Sequence, residues 1–66
     1  MDAKKIGSRL TQLRGDKSQQ EVAKAVSISP SALSMYENGE RIPKDEIKEK
    51  LAAHYGTSVQ ALFFDN

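Results

Sequence analysis

The apolar residues of this chain recur at helical spacing, and no stretch sustains the apolar–polar alternation of a half-buried strand. Periodicity and capping residues together predict five short helices. The first runs from about Asp2 to Leu13, with Ile6, Leu10 and Leu13 at i, i+4 and i+7 on one stripe. Gly15-Asp16 then breaks the pattern. Ser18 is the N-cap of the second helix, and Glu21 three residues later completes a capping box. Val22, Ala23 and Val26 form its inward face, and it ends near Val26. Ser29 caps the third helix. Pro30 suits its first position, where an N–H would lack a partner anyway. Leu33 and Tyr36 share its inner face, and Asn38-Gly39 ends it. Arg41-Ile42-Pro43 is a loop with Ile42 as its apolar anchor. The fourth helix spans about Lys44 to Tyr55, with Asp45 and Glu46 at the positive end of its dipole. Its stripe is Ile47, Leu51 and Tyr55, and Gly56 stops it. Ser58 caps a last short helix carrying Val59, Leu62 and Phe63.

This pattern predicts an all-α fold in one small domain, residues 1–66. A domain of this size buries only about 60% of the surface its unfolded chain exposes, so its core must be continuous. The sequence holds no cysteine, which excludes a disulfide framework, a thiolate nucleophile and a cysteine-based zinc site. No apolar run approaches the ~20 residues that cross a bilayer, and Met1 to Lys5 lacks the apolar stretch of a signal peptide. The expectation is a cytoplasmic protein with no membrane partner. The net charge of +1 does not point to a polyanion. Its distribution is uneven: Lys4, Lys5, Arg9, Arg14 and Lys17 oppose only Asp2 and Asp16 in the first 20 residues. Such a bias is ordinarily a solvated face and does not by itself establish nucleic-acid binding.

The informative segment is Ser18 to Pro43. Two short capped helices are joined by only Ser27-Ile28, which forces a large crossing angle and requires Ile28 to anchor the corner. The second helix of such a pair can project from the body and enter a major groove. In its ordered set of residues the chain resembles the XRE family of phage-repressor and Cro-like helix-turn-helix regulators. The matching residues are Ser18-Gln19, Val22-Ala23, Ile28-Ser29, Leu33-Ser34, Glu37-Asn38-Gly39, Pro43, Gly56 and Val59 to Phe63. The resemblance covers nearly the whole chain and implies a compact, five-helix, lambda-repressor-like domain with its motif at about residues 19–38. Two departures stand out. Relatives usually carry glycine where this chain has Ser27, at a corner that often needs a positive φ. Either the turn differs slightly or Ser27 accepts some strain. The connection Gly15-Asp16-Lys17 is also about two residues shorter than usual.

The resemblance implies a set of site residues. Gln19 sits where family members contact a phosphate or brace the base readers, and a helix N-terminus favours an anion. Ser29, Pro30, Ser31, Ser34 and Met35 fall on or beside the outward face of the third helix. A serine can donate to or accept from a base edge, and Met35 can pack on a thymine methyl. This face has no Arg, Lys, Gln or Asn, the side chains suited to bidentate base contacts, so DNA shape is expected to carry much of the specificity. Asn38, Arg41 and Lys44 follow the recognition helix and are candidates for gripping phosphates. Many relatives pair an arginine late in the first helix with the glutamate matching Glu37, and Arg14 is the candidate here. Phe63 and Phe64 cannot share one helix face. With Phe63 in the core, Phe64 is exposed and suggests a homodimer contact; the alternative is a hydrophobic C-terminal cap over the monomer core.

His54 is the only histidine, with no second ligand nearby in sequence. No nucleophile–base pattern and no phosphate-cradling glycine loop is present, so neither an enzyme nor a cofactor is expected. The leading expectation is a stand-alone transcriptional regulator, more often a repressor in this family, whose partner is a double-stranded DNA operator. Two alternatives remain: an antitoxin- or immunity-type protein with a protein partner, and a protein-interaction module reusing the fold.

Overall fold

The computed structural model describes residues 1–64. It contains α1 (Ala3–Arg14), α2 (Gln19–Ala25), α3 (Pro30–Glu37), α4 (Asp45–His54) and a terminal π-helical turn, Gln60–Phe64. No strand occurs among the described residues. The fold is all-α, and its extents of 27 × 22 × 22 Å are nearly isotropic.

The helices begin where the sequence supplies a cap. Asp2 Oδ1 accepts from the Lys4 and Lys5 amides at 3.0 and 3.2 Å. The Oγ atoms of Ser18, Ser29 and Ser58 accept from the amides of Glu21, Ala32 and Ala61, each at 3.0 Å. These side chains satisfy N–H groups that a helix start leaves without intrahelical partners.

Three helices end in the same way. The residue after the C-cap turns left-handed, and the next amide reaches back to a carbonyl five residues earlier. Gly39 (φ 74°) and Gly56 (φ 67°) take that position after α3 and α4. After α2 it is Ser27, at φ 60°, the one described non-glycine residue with positive φ. Ser27 N donates to Lys24 O at 3.2 Å and Ile28 N to Ala23 O at 2.9 Å. Of the two alternatives for this corner, the turn keeps its geometry and serine carries the strain. The reversal aims half-buried Ile28 into the core.

The core joins Ile6 and Leu10 of α1, Val22, Ala23 and Val26, Leu33 and Tyr36 of α3, Leu51 and Ala52 of α4, and Leu62 and Phe63. Helix α1 packs mainly on α3 and on the terminal turn, and α2 packs on α3. The α1–α3 contact is close because Gly7 has no side chain. A Cβ there would overlap the Glu37 carbonyl oxygen and lie 2.9 Å from the Tyr36 carbonyl oxygen. Arg9 Nη1 donates to the Leu62 carbonyl at 3.1 Å and ties the terminal turn to α1.

Two core assignments need correction. Leu13 is 43% exposed. The buried face of α1 continues from Leu10 toward Arg14 instead, and Leu13 only edges a shallow groove with Arg9, Gln12, Thr57, Ala61 and Leu62. In the loop, Ile42 is 39% exposed and Pro43 is the buried residue. On α4 Leu51 is fully buried and Ile47 and Tyr55 pack against the core as their spacing predicts, and the buried face extends to Lys48 and Ala52. Lys48 is buried because the terminal turn closes over it. Its ammonium lies 5.0 Å from the Phe64 ring centroid and 6.0 Å from that of Phe63, and 3.4 Å from Asp45 Oδ1. A long aliphatic stem with a charged tip can occupy such a margin between core and solvent.

Candidate nucleic-acid interface

The helix-turn-helix is braced from beneath by a carboxylate. Glu37, at the end of α3, has a side chain only 3% exposed. Arg14 at the end of α1 donates to it twice, from Nε to Oε2 at 2.8 Å and from Nη2 to Oε1 at 3.0 Å. Gln19, at the start of α2, donates from Nε2 to Oε1 at 2.8 Å. One buried acid therefore ties α1, α2 and α3 together. Donation to the Glu37 carboxylate holds the Arg14 pKa above its ordinary value, against a smaller opposing effect of burial. Arg14 Nη1 also donates to the Lys17 carbonyl at 2.7 Å. That bond uses the short Gly15-Asp16-Lys17 connection to hold the guanidinium in register.

Above this brace, α3 presents its outer face. Leu33 is fully buried and Tyr36 nearly so, which leaves Pro30 and Ser31 exposed and Ser34 and Met35 half-buried. Ser29 is exposed, but its hydroxyl is engaged as the N-cap. Pro30, Ser31 and Ser34 have short side chains and Met35 alone is long, so the first turn of the helix can approach a flat or grooved partner closely. Asn38, the C-cap, is exposed, and so are Arg41 and Lys44 beyond it. Lys44 stands at the N-cap of α4 without a side-chain capping bond. Gln19 is half-buried with its amide committed to Glu37, and so stands as a brace.

A sequence model of the helix-turn-helix family matches residues 10–62, most of the chain. The chain belongs to the XRE-type helix-turn-helix family. Its fold is that of helix-turn-helix DNA-binding transcription regulators. It is similar to two crystal structures of the clp gene regulator ClgR from Corynebacterium glutamicum, each at TM-score 0.82 and 28% identity. The matches cover 94% of this chain and 68% and 82% of the respective ClgR chains. The solution structure of the SOS-response transcriptional repressor LexA from Eubacterium rectale superposes at TM-score 0.89. At 22% identity, covering 98% of this chain and 71% of that one, the LexA likeness concerns the fold alone. No curated protein sequence matches significantly.

In this helix-turn-helix domain, sequence reading missed two residues beside the interface. Gly7 sets the depth at which α3 lies on α1. A glycine between Ile6 and Leu10 inside a helix was the available signal, since it costs helix propensity unless packing requires it. Glu40 sits just past α3, where its Oε2 accepts from Asn38 Nδ2 at 3.4 Å. The same Asn38 nitrogen donates to Ser34 Oγ at 3.3 Å. Among the described residues, no helix is long and apolar enough to cross a membrane, and no acidic or histidine cluster is disposed to hold a metal.

Proposed function

We propose that this chain is a sequence-specific double-stranded DNA-binding protein, a transcriptional repressor that sets α3 into the major groove and binds as a homodimer. The observation that carries the reading is the pairing of a braced α2–α3 corner with an exposed outer face of α3. A rigidly supported helix with a face left free by the body of the domain is what insertion into a groove requires. Ser31, Ser34 and Met35 face base edges in this reading, with Pro30 and Ser29 at the leading end. Asn38, Arg41 and Lys44 meet phosphates. The similarity to the clp gene regulator ClgR supports the regulatory role.

Phe64 supports the dimer. It is 45% exposed, a large aromatic surface for a domain this small. A dimer that reads two successive half-sites needs its recognition helices about 34 Å apart, one turn of DNA.

Selection of bound duplexes from a random library tests the reading. The expected result is an enriched site with two-fold symmetry and a binding constant that falls with salt. Enrichment of no sequence at any salt sinks it and leaves a protein-interaction module as the function of the fold. Within the selected site, Ser31→Arg should change base preference, whereas Lys44→Ala should weaken every sequence alike. Phe64→Ala should bind a half-site normally and the full site poorly.

A further inference from the structure

We infer that Glu40 is a built-in brake on DNA affinity, its carboxylate held by Asn38 where it repels a phosphate that would dock at the end of α3. The inference rests on the DNA-binding reading above. Asn38 has one nitrogen with two N–H groups. One is directed to Ser34 Oγ at 3.3 Å and the other to Glu40 Oε2 at 3.4 Å. A carboxylate accepts and cannot donate, so the contact with Glu40 fixes which end of the amide faces it. In the free protein the donors at the end of α3 are thus turned toward an oxyanion supplied by the chain itself.

The geometry also places the charge. One nitrogen touches both Ser34 and Glu40, so the Glu40 carboxylate lies on the side of α3 that bears the outward serine. All three residues lie at the protein surface, Asn38 and Glu40 exposed and Ser34 half-buried. A phosphate seated on Asn38 must displace Glu40 and then remain beside its negative charge. The two hydrogen bonds are long and solvated, so displacement is easy and the lasting effect is repulsion. Repulsion from the backbone is blind to sequence. It lowers affinity for all DNA, the non-specific background included, in a domain whose net charge is only +1.

Glu40→Gln removes the charge and keeps the shape. Glu49→Gln, at an exposed position on α4, makes the same change in net charge away from α3. Fluorescence anisotropy with a random-sequence duplex and with the selected duplex compares both variants with the wild type at low and moderate salt. The expected result is that E40Q binds both duplexes roughly three- to ten-fold more tightly at low salt. The gain should shrink as salt rises, and E49Q should stay within about twofold of the wild type. Equal affinities for E40Q and wild type overturn the inference, as do equal gains in E40Q and E49Q. Weaker binding of E40Q to the selected duplex alone also overturns it, because the carboxylate would then be accepting from a base. Absence of DNA binding in every protein defeats the DNA-binding reading and the brake together.

Discussion

Arg14 grips both oxygens of the Glu37 carboxylate, with Nε to Oε2 at 2.8 Å and Nη2 to Oε1 at 3.0 Å. The acid is almost wholly buried, whereas the arginine side chain remains 19% exposed. A pair of this kind is costly to break, because the remaining partner keeps its desolvation without its counter-charge. Glu37→Gln should therefore lower unfolding free energy by about 1–3 kcal/mol in urea titration. That is a large fraction of the ~3–10 kcal/mol expected for a chain of this length. The double variant Arg14→Met/Glu37→Leu should recover to within about 1 kcal/mol of wild type, since apolar groups can replace a buried pair. An unchanged E37Q would show that the pair contributes nothing net.

Gly7 governs a second contact of the same helices. Gly7→Ala would drive a Cβ into the Glu37 carbonyl and push α3 away from α1. Alanine is otherwise the better helix former by about 1 kcal/mol. The clash should outweigh that gain and leave the variant about 2–3 kcal/mol less stable, by overpacking. A Tm at or above that of wild type would mean that α3 shifts without resistance.

At the α2–α3 corner the sign reverses. Ser27 holds a left-handed backbone that costs an L-residue roughly 1 kcal/mol and costs glycine little. Ser27→Gly should stabilise the domain by about 1 kcal/mol and raise Tm by roughly 4–8 °C. Calorimetry reads this directly, and a lowered Tm would remove strain as the account of Ser27.

Tyr55 supplies the pH dependence. Its hydroxyl is buried with no hydrogen-bond partner among the described residues. Burial raises its pKa above the ordinary ~10 of tyrosine, and the nearby Glu37 charge adds to the rise while Arg14 opposes it. The folded state then holds the phenolic proton more tightly than the unfolded state does. This contribution is fully present below pH ~10 and is lost as pH rises through the folded pKa. Tyr55→Phe should stabilise the domain at neutral pH, by removing an unsatisfied hydroxyl, and should flatten the alkaline decline. An identical decline above pH ~10 in both proteins would assign it to other groups.

The elements and the motif are legible along the chain. Ser18, Ser29 and Ser58 act as caps in the structure, Pro30 opens α3, and Leu33 and Tyr36 face inward. These features depend on hydrogen bonds and steric preferences within a few residues, which is why spacing alone reveals them. The Arg14–Glu37 pair was legible only through family resemblance, because the connection between α1 and α2 leaves the register open.

Tertiary structure decided the rest. Leu13 and Ile42 have the composition of core residues, but no element covers them, and burial depends on what lies opposite. Lys48 is buried for the converse reason: Phe63 and Phe64 close over a position whose residue type predicts solvent. The contact of Glu40 with Asn38, and through Asn38 with Ser34, arises where the chain reverses at Gly39 and brings side chains back over the end of α3. Periodicity reports which way a side chain points along its own helix. It carries no information about what another part of the chain places against it.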